Sequence, residues 1–174
     1  GIVIPCGVNL GAFKPYDRDE ARARLRWPKD KFIVLFPFDP TRPEKRYDLA
    51  RASVDRLVQN GVDAELMTVI NVPNEEMPWY YSGANALLLS SDYEGSPTSI
   101  KEALACNLPV VSTRVGDVHE QLNGIAGTWI CPPDAATIAR SLRAAFDWSQ
   151  NGEFQGRAAV AKYDQALTVE RIVG

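Results

Sequence analysis

Histidine is nearly absent from the 174-residue chain: His119 is the only one, beside three cysteines and two methionines. Cys6, Cys106 and Cys131 have no metal-ligand spacing. Zinc centres and Cys–His nucleophilic pairs therefore have almost nothing to work with, and no metal site is expected. An odd, sparse set of cysteines reads as reduced buried thiols and points to the cytoplasm. No apolar run approaches the ~20 residues of a spanning helix, so no transmembrane segment is expected. No signal peptide is visible. There is no excess of positive charge; the net charge is −3, which argues against nucleic acid as a partner. Low-complexity tracts and internal repeats are missing too. With 45% hydrophobic and 24% charged residues, the composition is that of one globular domain. The chain opens Gly1-Ile2-Val3-Ile4-Pro5 without a methionine, which suggests part of a longer protein.

Strand and helix signals alternate. Residues 1–16 read as a strand end and a Gly/Pro-rich loop, and 17–27 as a short charged helix stopped by Pro28. The run FIVLFPF (32–38) reads as a strand buried on both faces. Pro40 and Pro43 forbid helix across 39–45. Tyr47, Ala50, Val54, Leu57 and Val58 recur at helical spacing, ended by Asn60-Gly61. Further strands are expected at 64–70, 85–90, 109–112 and 128–131. Helices are expected after Asn74, which could cap Glu75 and Glu76, from about Pro97 to Cys106, around 135–146, and from about Gly152 onward. This order implies an α/β fold: a three-layer, Rossmann-like, doubly wound parallel sheet. Ligands of such sheets sit beyond the C-terminal strand ends. The loops of interest are therefore 39–45, 71–74, 91–97 and 113–117.

In the third of these loops, Ser96 can cap a helix whose first residue is Pro97, leaving amides at Thr98 and Ser99 free to meet an anion. Gly95 would let backbone approach a ligand. The same text also reads as a plain capped helix. Loop 39–45 and its neighbour add Arg42, Lys45 and Arg46 on the same sheet edge, a fork and point charges suited to a diphosphate; a solvated basic loop is the other reading. Glu94 and Glu102 offer acceptors for vicinal hydroxyls of a sugar or ribose. Paired acid/base work is a further option for two carboxylates, but Glu102 would sit on the anion-binding helix itself.

Glu94 and Glu102, with seven residues between them and followed by Ala-Leu-Ala-Cys-Asn-Leu-Pro-Val-Val-Ser, resemble the E-x7-E signature of retaining glycosyltransferases of the GT-B fold, family GT4. Ile4-Pro5-Cys6-Gly7-Val8-Asn9 with Phe13 and Pro15 resembles the opening of that family's C-terminal domain. Arg42-Pro43-Glu44-Lys45 resembles its basic loop, residues 84–91 its central strand, and Val115-Gly116-Asp117-Val118-His119-Glu120 its V-G-G-x-x-E segment. The likeness covers essentially the whole chain and is closest in flavour to cell-surface polysaccharide transferases of the teichuronic-acid type. It departs in four places: Phe38-Asp39-Pro40-Thr41 precedes Arg42 where Gly-Arg is usual, Cys6 stands for Asn, Ser96-Pro97-Thr98-Ser99 for F-G-L-P, and Asp117 for Gly.

The resemblance implies that residues 1–174 are a single nucleotide-sugar-binding C-terminal domain, one half of a GT-B enzyme, with the N-terminal acceptor domain outside the chain. Arg42 and Lys45 would hold the pyrophosphate, and Glu94 the donor-sugar hydroxyls. Glu102 would hold the ribose, amides near Gly95, Ser96, Pro97, Thr98 and Ser99 the diphosphate or sugar, and backbone around Asn71, Val72 and Pro73 the base. It implies a UDP- or GDP-linked sugar, a glycan or lipid-linked acceptor, retention of configuration, no cofactor or metal, and little activity from this half alone. In the longer protein a peripheral position at the inner membrane face is consistent with it. A sugar-nucleotide epimerase of the same architecture and a non-catalytic nucleotide-binding module are the alternatives.

Overall fold

The computed structural model describes residues 7–164, so Ile4, Pro5 and Cys6 of the opening motif lie outside the described residues. Five parallel strands form one sheet: β1 (Phe32–Phe36), β2 (Ala64–Thr68), β3 (Ala86–Leu89), β4 (Val110–Thr113) and β5 (Thr128–Cys131), in spatial order β2-β1-β3-β4-β5. Helices connect them: α1 (Arg18–Leu25), α2 (Tyr47–Gln59), α3 (Met77–Gly83), α4 (Thr98–Ala105), α5 (Val118–Leu122), α6 (Ala135–Asn151) and α7 (Gly156–Val160). The expected doubly wound sheet is present, shorter at its strand ends than the apolar runs suggest.

Alternation along the strands divides the core. Phe32, Val34 and Phe36 of β1, with Ala86 and Leu88 of β3, pack under α2 and α6 against Leu49, Val54, Leu57, Ile138 and Leu142. Ile33, Leu35, Leu87 and Leu89 face the other way, against Tyr81, Ile100, Leu104, Val118 and Val160. All five β1 residues are buried, as a central parallel strand requires. Each fully buried Leu or Ile adds about 1.5–3 kcal/mol.

Local signals set the helix ends where the chain has a cap. Asp17 accepts from the Glu20 amide at 2.9 Å to start α1, and Asp134 accepts from the Thr137 amide at 2.8 Å to start α6. Two expected caps are not used. The helix after loop 71–74 starts at Met77, so Asn74 does not cap it; Glu76 stands at that position without a side-chain bond. Likewise α4 starts at Thr98 with Pro97 as the extended residue before it, and Ser96 makes no capping bond. The Ser96 hydroxyl turns to Asp117 instead, 2.7 Å away. The helix expected at 135–146 runs on to Asn151 as α6, and the last helix, expected from about Gly152, starts at Gly156 and holds as α7 only to Val160 before a 3-10 turn over Ala161–Tyr163.

The strand order reverses direction between β1 and β3, because β1 is followed outward by β2 on one side and β3 by β4 on the other. Loops leaving the C-terminal ends of β1 and β3 diverge there, and a crevice opens between them.

Candidate active site

Lys45 and Glu94 meet in that crevice. After β1 the chain makes a 3-10 turn over Pro43–Lys45, which points Lys45 inward. Its Nζ lies 2.5 Å from Glu94 Oε1, with the two side chains only 10% and 15% exposed. Ser91 Oγ donates to the same oxygen at 2.7 Å, leaving Oε2 without a hydrogen-bond partner among the described residues. The Phe38 ring lies 4.7 Å from Lys45 Nζ and completes its surroundings. Ser90 Oγ bridges the loops from below, donating to the carbonyls of Lys45 and Arg46 at 3.0 and 3.1 Å. An ammonium has three donors, so Lys45 can serve Glu94 and an incoming anion together.

Glu94, Ser96, Pro97, Thr98, Ser99 and Glu102 line one compartment of about 380 Å³ with Lys45, Phe38, Met77 and Tyr81. Glu102 lies one turn into α4, where Tyr81 Oη donates to its Oε2 at 2.7 Å. Burial pushes the Glu102 carboxyl above the ordinary carboxylate range, against the opposing bonds from Tyr81 and Thr98. Burial likewise raises the Tyr81 phenol, with the Glu102 charge adding to it. The first amides of α4 have no partner within the helix and carry the positive end of its dipole. Ser99 Oγ, buried and lining the same compartment, has no hydrogen-bond partner among the described residues.

A second compartment of about 310 Å³ shares Pro37, Phe38, Lys45 and Met77 with the first and adds Asp39, Arg42, Val69, Ile70, Asn71 and Val72. Arg42 therefore shares this compartment with Lys45 but not the one holding Glu94. Its guanidinium is 58% exposed and paired with Glu44. Pro73 lines neither compartment; its carbonyl accepts from the Glu76 amide in the following turn. Arg46 is committed to Asp48 and Asp92. Gly95 contributes its carbonyl, which accepts from the Asp117 amide at 3.1 Å. Its missing side chain is not demanded locally, since a Cβ there would meet nothing within 4 Å. The glycine that geometry demands is Gly116, at φ +50°, whose Cβ would fall 2.0 Å from the Gly95 oxygen.

Sequence reasoning missed Ser91 and Phe38 as parts of the candidate site. It also missed Lys101, which is buried behind Ser96. No local pattern marks any of them. Among the described residues no group of three or more His, Cys, Asp or Glu side chains is placed to hold a metal ion. None of their helices is long and apolar enough to cross a membrane.

Residues 42–147 match the family model described as glycosyl transferases group 1. The chain belongs to that family. It is 28% identical over 175 residues to D-inositol 3-phosphate glycosyltransferase 1 of Catenulispora acidiphila, covering 81% of this chain and 42% of that protein. It is also 28% identical over 156 residues to the putative teichuronic acid biosynthesis glycosyltransferase TuaC of Bacillus subtilis, covering 80% and 40%. The fold matches that of Anabaena HepE crystallised with UDP, with a TM-score of 0.73 at 17% identity, over 96% of this chain and 54% of that one. The chain thus spans about two fifths of the length of the two curated relatives. The Rossmann-like sheet expected as one half of a GT-B fold is what these comparisons match.

Proposed function

We propose that the chain is the donor-binding, C-terminal domain of a retaining glycosyltransferase. It binds a nucleotide-diphosphate sugar in the crevice between β1 and β3. A hexosyl group then passes to a glycan or lipid-linked acceptor held by an N-terminal domain. The observation that carries this reading is the Lys45–Glu94 pair, 2.5 Å apart at the point where the strand order reverses. A cation for phosphate and a carboxylate with a free oxygen for sugar hydroxyls sit side by side there. A module binding only a nucleotide has no need of the second.

In this reading the nucleoside lies in the compartment of Asn71, Val72 and Arg42, with the base against backbone near residues 71–73. Glu102, held by Tyr81, accepts from the ribose diol. The diphosphate spans Lys45 and the first amides of α4, with Arg42 at its nucleoside side. When the bond from sugar C1 to the diphosphate oxygen breaks, the leaving oxygen takes the charge, and Lys45 and the α4 dipole face it. Glu94 Oε2 accepts from a donor-sugar hydroxyl and fixes C1 toward the acceptor. No step calls for a metal or cofactor. The UDP held by HepE supports a uridine donor, and GDP is the other base to test. The buried thiols of Cys106 and Cys131 support a reducing, cytoplasmic setting.

The test is Glu94→Ala in the protein with its N-terminal half, followed by transfer rate and by product anomeric configuration. Loss of transfer with nucleoside diphosphate binding kept supports the role; unchanged turnover removes Glu94 from it. Release of an isomerised sugar nucleotide without any acceptor would favour an epimerase instead.

A further inference from the structure

Lys101 stands in the middle of α4, where a lysine normally points to water, yet only 1% of it is exposed. Burying an ammonium costs several kcal/mol unless it is paired and hydrogen-bonded. Its Nζ donates to Ser96 Oγ at 3.1 Å and lies 5.4 Å from the Tyr163 ring centroid. The Ser96 hydroxyl donates its one hydrogen bond to Asp117 Oδ2 at 2.7 Å. Gln121 Nε2 donates to Asp117 Oδ1 at 2.5 Å. A chain of cation, hydroxyl, carboxylate and amide therefore runs behind the loop that carries Glu94, and bonds in such chains polarise and strengthen one another.

The backbone is tied at the same place. The Asp117 amide donates to the Gly95 carbonyl at 3.1 Å, and only the missing side chain of Gly116 lets that oxygen come so close, since a Cβ there would fall 2.0 Å from it. Ser96 is both the front of the chain and a wall of the Glu94 compartment. Ser96 and Asp117 are also two of the positions at which the sequence departs from the pattern it resembles, and they touch each other.

We propose that Lys101 and Asp117 are positioning residues that act through Ser96 to set which sugar the crevice accepts. The inference rests on the donor-site reading above and deepens it. Lys101 and Asp117 do not line the compartment of Glu94; they fix the loop 94–96 that does. The nucleoside lies in the separate compartment of Asn71, and Lys45 and Glu102, although they share the Glu94 compartment, take no part in this chain of bonds. Disturbing the chain therefore alters recognition of the sugar and spares recognition of the nucleoside diphosphate.

Calorimetry tests this with UDP against UDP-glucose and UDP-galactose, and with GDP against GDP-mannose. The variants are Lys101→Met, Asp117→Asn and the surface change Ser96→Ala. The expected result is at least a fivefold fall in the ratio of sugar-nucleotide to nucleoside-diphosphate affinity, or a comparable shift between the two UDP-sugars. Nucleoside diphosphate affinity stays within twofold. An unchanged ratio in all three variants overturns the inference, and so does an equal loss for both ligands, which is what mere structural damage would give. Either result leaves the donor-site reading standing. Failure of the unaltered protein to bind any of these ligands removes that reading and the inference with it.

Discussion

Replacing Lys45 with methionine separates two roles of one ammonium. The Lys45 and Glu94 side chains are 10% and 15% exposed, with their charged atoms 2.5 Å apart. Removing one member of a buried pair costs roughly 3–5 kcal/mol, chiefly because the other charge is stranded. Glu94 keeps the Ser91 hydroxyl at 2.7 Å, so the lower end, about 3 kcal/mol, applies. For a domain of this size that lowers Tm by roughly 6–12 °C. Binding suffers separately. A hydrogen bond to a charged group contributes about 1.5–3 kcal/mol, so the nucleoside diphosphate is held roughly 10- to 150-fold more weakly. The double variant Lys45→Met with Glu94→Gln removes the stranded charge. Its Tm recovers most of the loss, while its affinity for the diphosphate does not recover. Circular dichroism melts and calorimetry with UDP and GDP read the two effects independently. Affinity within twofold of the unaltered chain would remove Lys45 as the diphosphate cation. A double variant no more stable than the single one would refute the argument from the stranded carboxylate.

Glu102 makes stability depend on pH. Its folded carboxyl holds its proton to higher pH than the unfolded chain does, so its contribution to stability falls as pH rises from the ordinary carboxyl range through the raised folded value. Glu102→Gln flattens that part of a urea-midpoint profile. Nucleotide affinity rises through the same window, since the ionised form accepts from the diol. Gly116→Ala places a Cβ 2.0 Å from the Gly95 oxygen at φ +50°; the left-handed conformation alone costs about 1–2 kcal/mol. A thermal melt lowered by at least several degrees is expected, and an unchanged melt would contradict the close approach. Burial pushes the Cys106 thiol up to about 12. Iodoacetamide therefore leaves it unlabelled in the folded chain and labels it in denaturant, as peptide mass mapping would show; rapid native labelling would contradict its burial.

The sheet was legible because its signals are local. The run FIVLF reads as a strand buried on both faces wherever it occurs, and Asp17 and Asp134 announce the helices they cap. The convergence of Lys45 and Glu94 on one crevice was legible because both follow strands whose C-terminal ends share an edge. The relation between Arg42 and Lys45 was not. Only the 3-10 turn between them puts Lys45 inside with Glu94 and leaves Arg42 outside with Glu44. Ser96 was misread because Ser-Pro before an apolar helix is a normal capping text, and nothing nearby announces an aspartate 21 residues later. Lys101 reads as a solvated helix lysine; its burial depends on α5 and the segment near Tyr163 closing over it. Tyr81 and Glu102 are joined only because α3 packs beside α4. Pairings of this kind follow from the strand order β2-β1-β3-β4-β5, which no local pattern encodes.

The central claim is that the crevice between β1 and β3 holds a nucleoside diphosphate sugar. Calorimetry against UDP, GDP and ADP, each with and without its sugar and all in EDTA, tests it most directly. The account predicts binding of one diphosphate, unaffected by EDTA, weakened by Arg42→Ala and by Lys45→Ala. No binding of any of the three, to the chain or to the protein extended by its N-terminal half, would contradict it.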